Sequence, residues 1–482
     1  MAKNVFSDSQ LKSALTHYFG YRSFRPGQLA TLRFVMAGQD TLAVLPTGAG
    51  KSLLYQLPAC LLDGTIVVVS PLISLMQDQE NRLRLRGEKH VVVLSSLLSK
   101  REKTDVLRRL TTFHFIFVSP EMLNTVPVLK GLQRARIALF VIDEAHCISQ
   151  WGPDFRPEYL LLGDVLRTLG HPTTLMLTAT ASAAVADDIC HSLHLSDVHR
   201  VIRSVNRPNI FLAVEQCQSV QDKRQKLLDY IKSLGPSGVV YFSSRRLASE
   251  LAQWLSTQFK LTVAAYHAGI SAIERYRIQQ QFMNGDLDVI CATSAFGMGI
   301  DKDNIRYVLH YHMPPSLTSY VQEIGRAGRD GKQAAAVLLY APGDEQLALQ
   351  LQSTDVPSAS LMKAYLHRQI KASDLGRDGD VISFYLDHGM NPEDIALFFK
   401  KRWSNSSQQV WQMLDYVKSE TCKRDFLLEA FGENDSSKTL KWCCSIHQPD
   451  WLGKMSLPAS TSKKELKSGA LDWQERLKKL FF

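Results

Sequence analysis

What this 482-residue chain lacks narrows its class before any motif is read. No apolar run approaches the ~18 residues needed to span a bilayer, and Met1-Ala2-Lys3-Asn4-Val5 opens no long apolar core of the secretory kind. A cytoplasmic protein with no membrane partner is therefore expected. Cysteine is sparse, eight in all, and Cys60, Cys190, Cys217 and Cys291 are scattered among apolar neighbours. They read as buried reduced thiols, which argues against a secreted disulfide scaffold. Acid is not in excess either. Against 47 Asp and Glu stand 56 Lys and Arg, and the net charge of +9 leans toward an anionic partner. Hydrophobic content of 45% is ordinary for a globular chain with a good core, and the length allows roughly three domains of about 150 residues.

The pattern along the chain is α/β. Ser7 or Asp8 can cap a helix that ends at Gly20, with Leu11, Ala14, Leu15, Tyr18 and Phe19 on one face. Short apolar runs at 41–45, 65–70, 91–94, 113–118, 137–142 and 174–177 then alternate with helical segments. A second series follows at 211–214, 238–242, 262–266, 289–293, 307–310 and 335–340. This is the rhythm of parallel sheets covered on both faces. The expected architecture is two parallel-sheet domains in tandem, 1–205 and 206–345, joined through the polar stretch 203–209. A mostly helical region, 346–459, and a Lys- and Ser-rich tail, 460–482, follow. The tail carries Trp473, Leu477, Leu480 and Phe481 on a short amphipathic helix.

Thr47-Gly48-Ala49-Gly50-Lys51-Ser52 follows the first strand and precedes a helix. Its glycines let backbone N–H groups curl around phosphates, Lys51 reaches the terminal phosphates, and Ser52 can ligate Mg²⁺. The first glycine of the full spacing is missing, because Leu45 stands there. Asp143 and Glu144 end the run 137–142, where ligands of open α/β sheets bind. With Lys51 upstream, Asp143 reads as the magnesium anchor and Glu144 as the base that polarises the attacking water. Far downstream, Gln322-Glu323-Ile324-Gly325-Arg326-Ala327-Gly328-Arg329 sets two arginines three apart on one helical face. From the second domain they could reach a phosphate held by the first, as arginine fingers. Trp151, Phe155 and Arg156, a few residues after the acids, are suited to stacking on bases.

Taken together these motifs resemble the RecQ DNA helicases of helicase superfamily 2. The resemblance is carried by Asp143-Glu144-Ala145-His146 with Gln150-Trp151, by 47–52, by Leu177-Thr178-Ala179-Thr180-Ala181 and by 322–329. Phe19-Gly20-Tyr21-Arg22-Ser23-Phe24-Arg25-Pro26-Gly27-Gln28, the stretch 70–79, Tyr266-His267-Ala268-Gly269 and the stretch 293–302 add to it. It implies two RecA-like lobes, ATP and Mg²⁺ as cofactors, and 3′ to 5′ movement on single-stranded DNA with unwinding of duplex or branched DNA in recombination and repair. It implies that Tyr21 stacks on adenine, that Gln28 reads its edge with Arg25 nearby, and that Gln322 and Asp301 belong to the nucleotide site. Gln150, Trp151, Phe155 and Arg156 would form a DNA-coupling loop, with Pro153 where the family commonly has His. Ser70, Thr178, Thr180 and Thr293 would touch DNA backbone or link the lobes.

The resemblance also places a zinc site near the C-terminus, at Cys422, Cys443 and Cys444, with His447 where the family has a fourth cysteine. Cys₃His is a tetrahedral zinc set; the alternative is four ordinary side chains. With 35 residues after His447, a short bacterial-type form without winged-helix and HRDC domains is expected. A monomer associated with the nucleoid is expected too, with single-strand-binding or other repair proteins as candidate partners. Two other readings stay open: an RNA-dependent ATPase of the same superfamily, and a DNA-annealing scaffold without turnover.

Overall fold

A computed structural model describes residues 6–149, 156–297, 302–353, 356–376, 378–433 and 440–458. Its first lobe is a seven-stranded sheet: β1 (Thr41–Val44), β2 (Thr65–Val69), β3 (Val91–Leu94), β4 (Phe115–Val118), β5 (Ile137–Ile142), β6 (Thr174–Thr178) and β7 (His199–Ile202), in the order β3-β4-β2-β5-β6-β1-β7. The second lobe is a six-stranded sheet of β8 (Ile210–Gln216), β9 (Gly238–Tyr241), β10 (Val263–Tyr266), β11 (Val289–Ala292), β12 (Tyr307–His310) and β13 (Ala334–Tyr340), in the order β10-β11-β9-β12-β13-β8. Every strand pairing in both sheets is parallel.

The apolar runs explain this. β1, β2, β3, β4 and β6 are buried at every residue, as strands covered on both faces must be. Residues of one parity feed one core and those of the other parity feed the opposite core. Val67 and Val69 join Phe140 and Ile142 below one face, while Ile66 and Val68 join Leu139 and Val141 below the other.

The sequence pattern missed β7. Only Val201 of its four residues is buried, so this edge strand offers no apolar run, and it is held by pairing with β1. The N-terminal helix runs Asp8–Phe19 with a capping box at Ser7 and a left-handed Gly20, as the sequence predicts. Its buried face is Leu11, Ala14 and Leu15 alone. Phe19 packs against the same core in the last turn, and Tyr18 alone of the predicted stripe is exposed. Cys60 also departs from expectation: it caps the helix Leu53–Ala59 and is exposed, whereas Cys190, Cys217 and Cys291 are buried.

After β13 the described residues hold helices and no further strand. The helix Pro392–Lys418 spans 27 residues, about 40 Å at 1.5 Å per residue. Its C-terminal half, through Val410, Met413, Leu414, Tyr416 and Val417, enters the core of the second lobe. Its N-terminal half gives Ile395 and Phe399 to a separate small core with Met362, Leu375, Ile382, Tyr385 and Leu386. That core rests on Leu160 of the first lobe. The predicted tail helix lies outside the described residues.

Candidate active site between the lobes

Parallel strands deliver their C-terminal ends to one edge of a sheet. β1 therefore presents the loop 45–52, and β5, one strand removed across β6, presents Asp143 and Glu144. A cleft of about 340 Å³ opens there. Thr47, Gly48, Gly50, Lys51, Ser52, Asp143, Glu144, Tyr21, Arg25 and Gln28 line it from the first lobe, and Gln322, Arg326 and Arg329 from the second. Residues more than 270 positions apart in the chain thus share one cavity.

The loop is shaped by positive-φ glycines, Gly48 at 83° and Gly50 at 73°, a region that costs other residues strain. Gln28 is buried and donates from Nε2 to the carbonyls of Ala49 (2.8 Å) and Gly50 (3.1 Å), while its Oε1 accepts from the Arg25 amide at 2.8 Å. Both amide hydrogens of Gln28 are thus engaged by the loop, and one acceptor lone pair remains for a base. Arg25 Nη1 donates to the Gly48 carbonyl. Tyr21 is half exposed at the cleft rim. Lys51 is buried and donates to the Leu45 carbonyl at 3.1 Å. Burial lowers its pKa, and the nearby Glu144 and Asp143 carboxylates oppose that shift.

Glu144 sits at φ 50°, an uncommon left-handed position for a non-glycine residue, and its Oε2 is buried without a hydrogen-bond partner. Burial, reinforced by Glu144, raises Asp143 to about 7. Two desolvated carboxyls beside an ammonium are a donor set that a divalent cation would stabilise; Asp143 and Ser52 are the side chains that would hold it. His146 Nδ1 lies 2.9 Å from Thr178 Oγ1 and 3.4 Å from Glu144 Oε2. Thr178 Oγ1 in turn donates to the Thr180 carbonyl at 3.0 Å, and Gln322 Nε2 of the second lobe donates to Thr180 Oγ1 at 3.3 Å. A polar chain therefore runs from the candidate base to the other lobe.

The two arginines are not on a helical face. The helix Leu317–Ile324 ends at Gly325, and Arg326 to Arg329 occupy a turn closed by Gly328 at φ 56°. The glycines that the sequence offers at 325 and 328 stop the helix, and the turn aims both side chains into the cleft. Arg326 is buried with Nε unpartnered, an arrangement suited to an anion.

Sequence reasoning passed over Arg207, in the segment read as a join. Its guanidinium donates to the carbonyls of Thr47 (3.1 Å), Gly325 (2.9 Å), Ala327 (3.0 Å) and Gly328 (2.8 Å). A charged residue inside a short link between paired α/β domains was the available signal. Tyr55, Gln79, Arg82, Arg86 and Asp303 also line the cleft. Asp301, Gln150, Trp151 and Phe155 lie outside the described residues. Arg156 lies at the base of the segment: its amide donates to the Cys147 carbonyl at 3.0 Å, and its guanidinium is 3.9 Å from Glu121.

A second site lies against the edge strand of the second sheet. Cys422, Cys443, Cys444 and His447 bring their ligand atoms within 4.8 Å of one another. Cys422 Sγ is 3.6 Å from Cys443 Sγ and 3.8 Å from Cys444 Sγ, and Cys444 Sγ is 3.7 Å from His447 Nδ1. A tetrahedron with metal–sulfur bonds of about 2.3 Å has edges of about 3.8 Å, so the geometry fits zinc. The segment is fastened to the edge of the second sheet, where the Leu212 amide donates to Cys443 and Ser445 donates back to Leu212.

Comparison with known proteins agrees with this geometry. Residues 25–189 match the DEAD/DEAH box helicase family and residues 222–331 the helicase conserved C-terminal domain. The chain is 46% identical over 343 residues to the probable ATP-dependent DNA helicase RecS of Bacillus subtilis, covering 71% of this chain and 69% of that protein. It is 34% identical over 466 residues to the ATP-dependent DNA helicase RecQ of Synechocystis, covering 88% and 95%. Among solved structures, the DEAD-box helicase Mss116 bound to ssRNA and UDP-BeF superposes with a TM-score of 0.60 at 17% identity, over 89% of this chain and 90% of that one, a likeness of fold.

Proposed function

The chain belongs to the RecQ family of ATP-dependent DNA helicases, and on that footing we propose that it couples ATP hydrolysis to 3′ to 5′ movement along single-stranded DNA, unwinding duplex and branched DNA. It is a DNA helicase of recombination and repair that uses ATP and Mg²⁺. The observation that carries the reading is the cleft, in which one phosphate loop, two acids and two arginines from the other lobe face a common space.

Each residue has a task in that space. The amides of the loop and Lys51 cradle the phosphates. Glu144, held at its strained backbone position and beside His146, orients a water for attack on the terminal phosphorus and receives its proton. Arg326 and Arg329 meet the charge that develops on the transferred group, which is the stage at which such contacts accelerate reaction. Gln322, through Thr180, tells the acids that the second lobe is in place. Bound magnesium would neutralise phosphate charge beside Ser52 and Asp143. Tyr21, Arg25 and Gln28 select the base side of the nucleotide, with Asp301 from the second lobe. Gln150, Trp151, Phe155 and Arg156 report bound DNA to the acids six to thirteen residues upstream. Zinc at Cys422, Cys443, Cys444 and His447 is structural. No helix among the described residues is long and apolar enough to cross a membrane, and we place the protein in the cytoplasm on the nucleoid, as a monomer.

The test is turnover and strand displacement. ATP hydrolysis should rise at least tenfold with single-stranded DNA and much less with RNA, and 3′-tailed duplexes should be opened in preference to 5′-tailed ones. RNA stimulation equal to that of DNA would reject the substrate, and a 5′-tail preference would reject the polarity.

A further inference from the structure

Four consecutive carbonyls of the phosphate loop are each captured by a side chain. Arg25 takes Gly48, Gln28 takes Ala49 and Gly50, and Arg207 takes Thr47. A trans peptide points its N–H opposite to its C=O. Holding a carbonyl from outside therefore turns the N–H of the same peptide away from the captor. Of the four amides in these peptides, that of Ala49 donates to the Pro46 carbonyl at 3.1 Å, and those of Gly48, Gly50 and Lys51 have no backbone acceptor among the described residues, as expected of donors kept for phosphate oxygens.

The four captures differ in ownership. Arg25 and Gln28 belong to the first lobe, so three carbonyls are fixed whatever the second lobe does. Arg207 makes its other three hydrogen bonds to Gly325, Ala327 and Gly328, the turn that carries both arginine fingers. It is bedded from behind as well. Arg424 Nη1 donates to the Arg207 carbonyl (3.1 Å) and to Asn206 Oδ1 (2.7 Å), and Arg424 Nη2 to the carbonyls of Ile210 (2.5 Å) and Cys443 (3.3 Å). Glu433 accepts from the Val205 amide at 2.9 Å. The link segment is thus riveted to the second lobe, and Arg207 travels with the fingers. Among the described residues, its one hydrogen bond to the first lobe is the one to Thr47.

We propose that Arg207 is a positioning residue that completes the phosphate cradle only when the lobes close, by setting the Thr47–Gly48 peptide as the fingers arrive. The inference rests on the ATPase reading above and adds a step to it. Nucleotide binds to a cradle that Arg25 and Gln28 hold open, and the last amide is aimed by the second lobe. Hydrolysis is thereby denied to a nucleotide bound between separated lobes, and DNA that draws the lobes together switches on the cradle and the fingers in one movement. Lysine cannot do this work, since one ammonium cannot span four carbonyls in a planar fork.

The experiment compares wild type, Arg207→Ala and Arg207→Gln in the full chain, with ATP and saturating single-stranded DNA. The expected result is a DNA-stimulated kcat at least tenfold lower, with the KM for ATP within threefold of wild type. Gln28→Ala should show the opposite split, with KM raised more than kcat is lowered. Arg207→Gln serves if the alanine variant fails to fold. Small-angle scattering with ADP and beryllium fluoride reads closure apart from turnover, and the wild type should compact while the Arg207 variants do not. Wild-type kcat in a folded Arg207 variant, or equal compaction, overturns the role of Arg207. A wild type that shows no DNA-stimulated turnover overturns the helicase reading instead, and the scattering comparison still decides the closure claim.

Discussion

Gly325 shows how little room the closed lobes leave. A Cβ built there would lie 2.0 Å from Thr47 Oγ1 and 2.9 Å from the Val321 carbonyl. The Val321 contact lies within the second lobe and is the same at any lobe separation, whereas the Thr47 contact, with Thr47 Cβ behind it at 3.3 Å, presses on the first lobe and is relieved when the lobes part. Gly325→Ala should therefore keep ATP binding, read with a fluorescent nucleotide, while DNA-stimulated kcat falls about a hundredfold, roughly 2.7 kcal/mol of barrier. Unchanged turnover would mean that the lobes work at a wider separation. A different residue-scale effect is set at His312. Its Nδ1 accepts from the Ser243 amide at 3.1 Å, and burial, with Lys223 nearby, lowers its pKa to about 3. An unfolded histidine titrates near 6.5, so the unfolded chain binds the extra proton first. Stability is full above about pH 6.5 and is lost as pH falls toward 3, by at most about 1.4 kcal/mol per unit from this group. His312→Asn should flatten that acid limb in denaturant melts, and an identical limb in the variant would assign the loss elsewhere. The residues that the sequence disclosed are those whose chemistry repeats in a short motif, Lys51, Asp143 and Glu144 among them. Gly325 was visible there as a glycine, but not as a contact point, because its neighbour Thr47 is 278 positions away.

Elements were legible where burial follows one rule along their length. Strands covered on both faces write continuous apolar runs, and twelve of the thirteen strands among the described residues coincide with such runs. β7 did not, because His199 and Arg200 fill half of it and Val201 is its one buried residue, so no apolar run is written there. The helix Pro392–Lys418 read only as helical and polar because it serves two cores in succession, with the half-exposed Trp403 between. No single apolar stripe runs its length. The Cys₃His knuckle was legible in its ligands but not in its mounting. It rests on the outer strand of the second sheet and reaches the link through Arg424. A structural metal there contributes folding free energy to whatever it is fastened to. The purified protein should carry one zinc by elemental analysis. Cys443→Ser, or removal by a chelator, should lower the melting temperature by several degrees and raise amide exchange in residues 203–210 as well as in the knuckle. Stoichiometric absence of zinc in a fully active preparation would reject the site.

On the scale of the molecule, the helical module between residues 356 and 402 touches what no motif assigns to it. Its core closes over Leu160, in the short 3₁₀ segment Pro157–Leu161 that follows the coupling residues 150–156. From there the long helix crosses to the core of the second lobe. Glu158 in the same segment is raised by burial, then by Glu121 and Asp380, the last of these from the module. The module is therefore a brace with one foot beside the coupling loop and the other in the lobe that carries the arginine fingers. A brace of this kind biases how far the lobes separate between cycles, because opening must either bend the helix or lift the module from Leu160. Leu160→Asp sets a carboxylate in that apolar seam, where desolvation costs several kcal/mol, and should lift the module while the two sheets stay folded. DNA-free turnover should be unchanged and the stimulation by single-stranded DNA should fall several-fold. Trp151→Ala should fall in the same direction if the loop and the brace act in series. Exchange measured by mass spectrometry should rise in 356–402 and not in β1 to β6. Intact stimulation with a released module would show that the coupling loop signals to the acids alone, through the chain that joins His146, Thr178, Thr180 and Gln322.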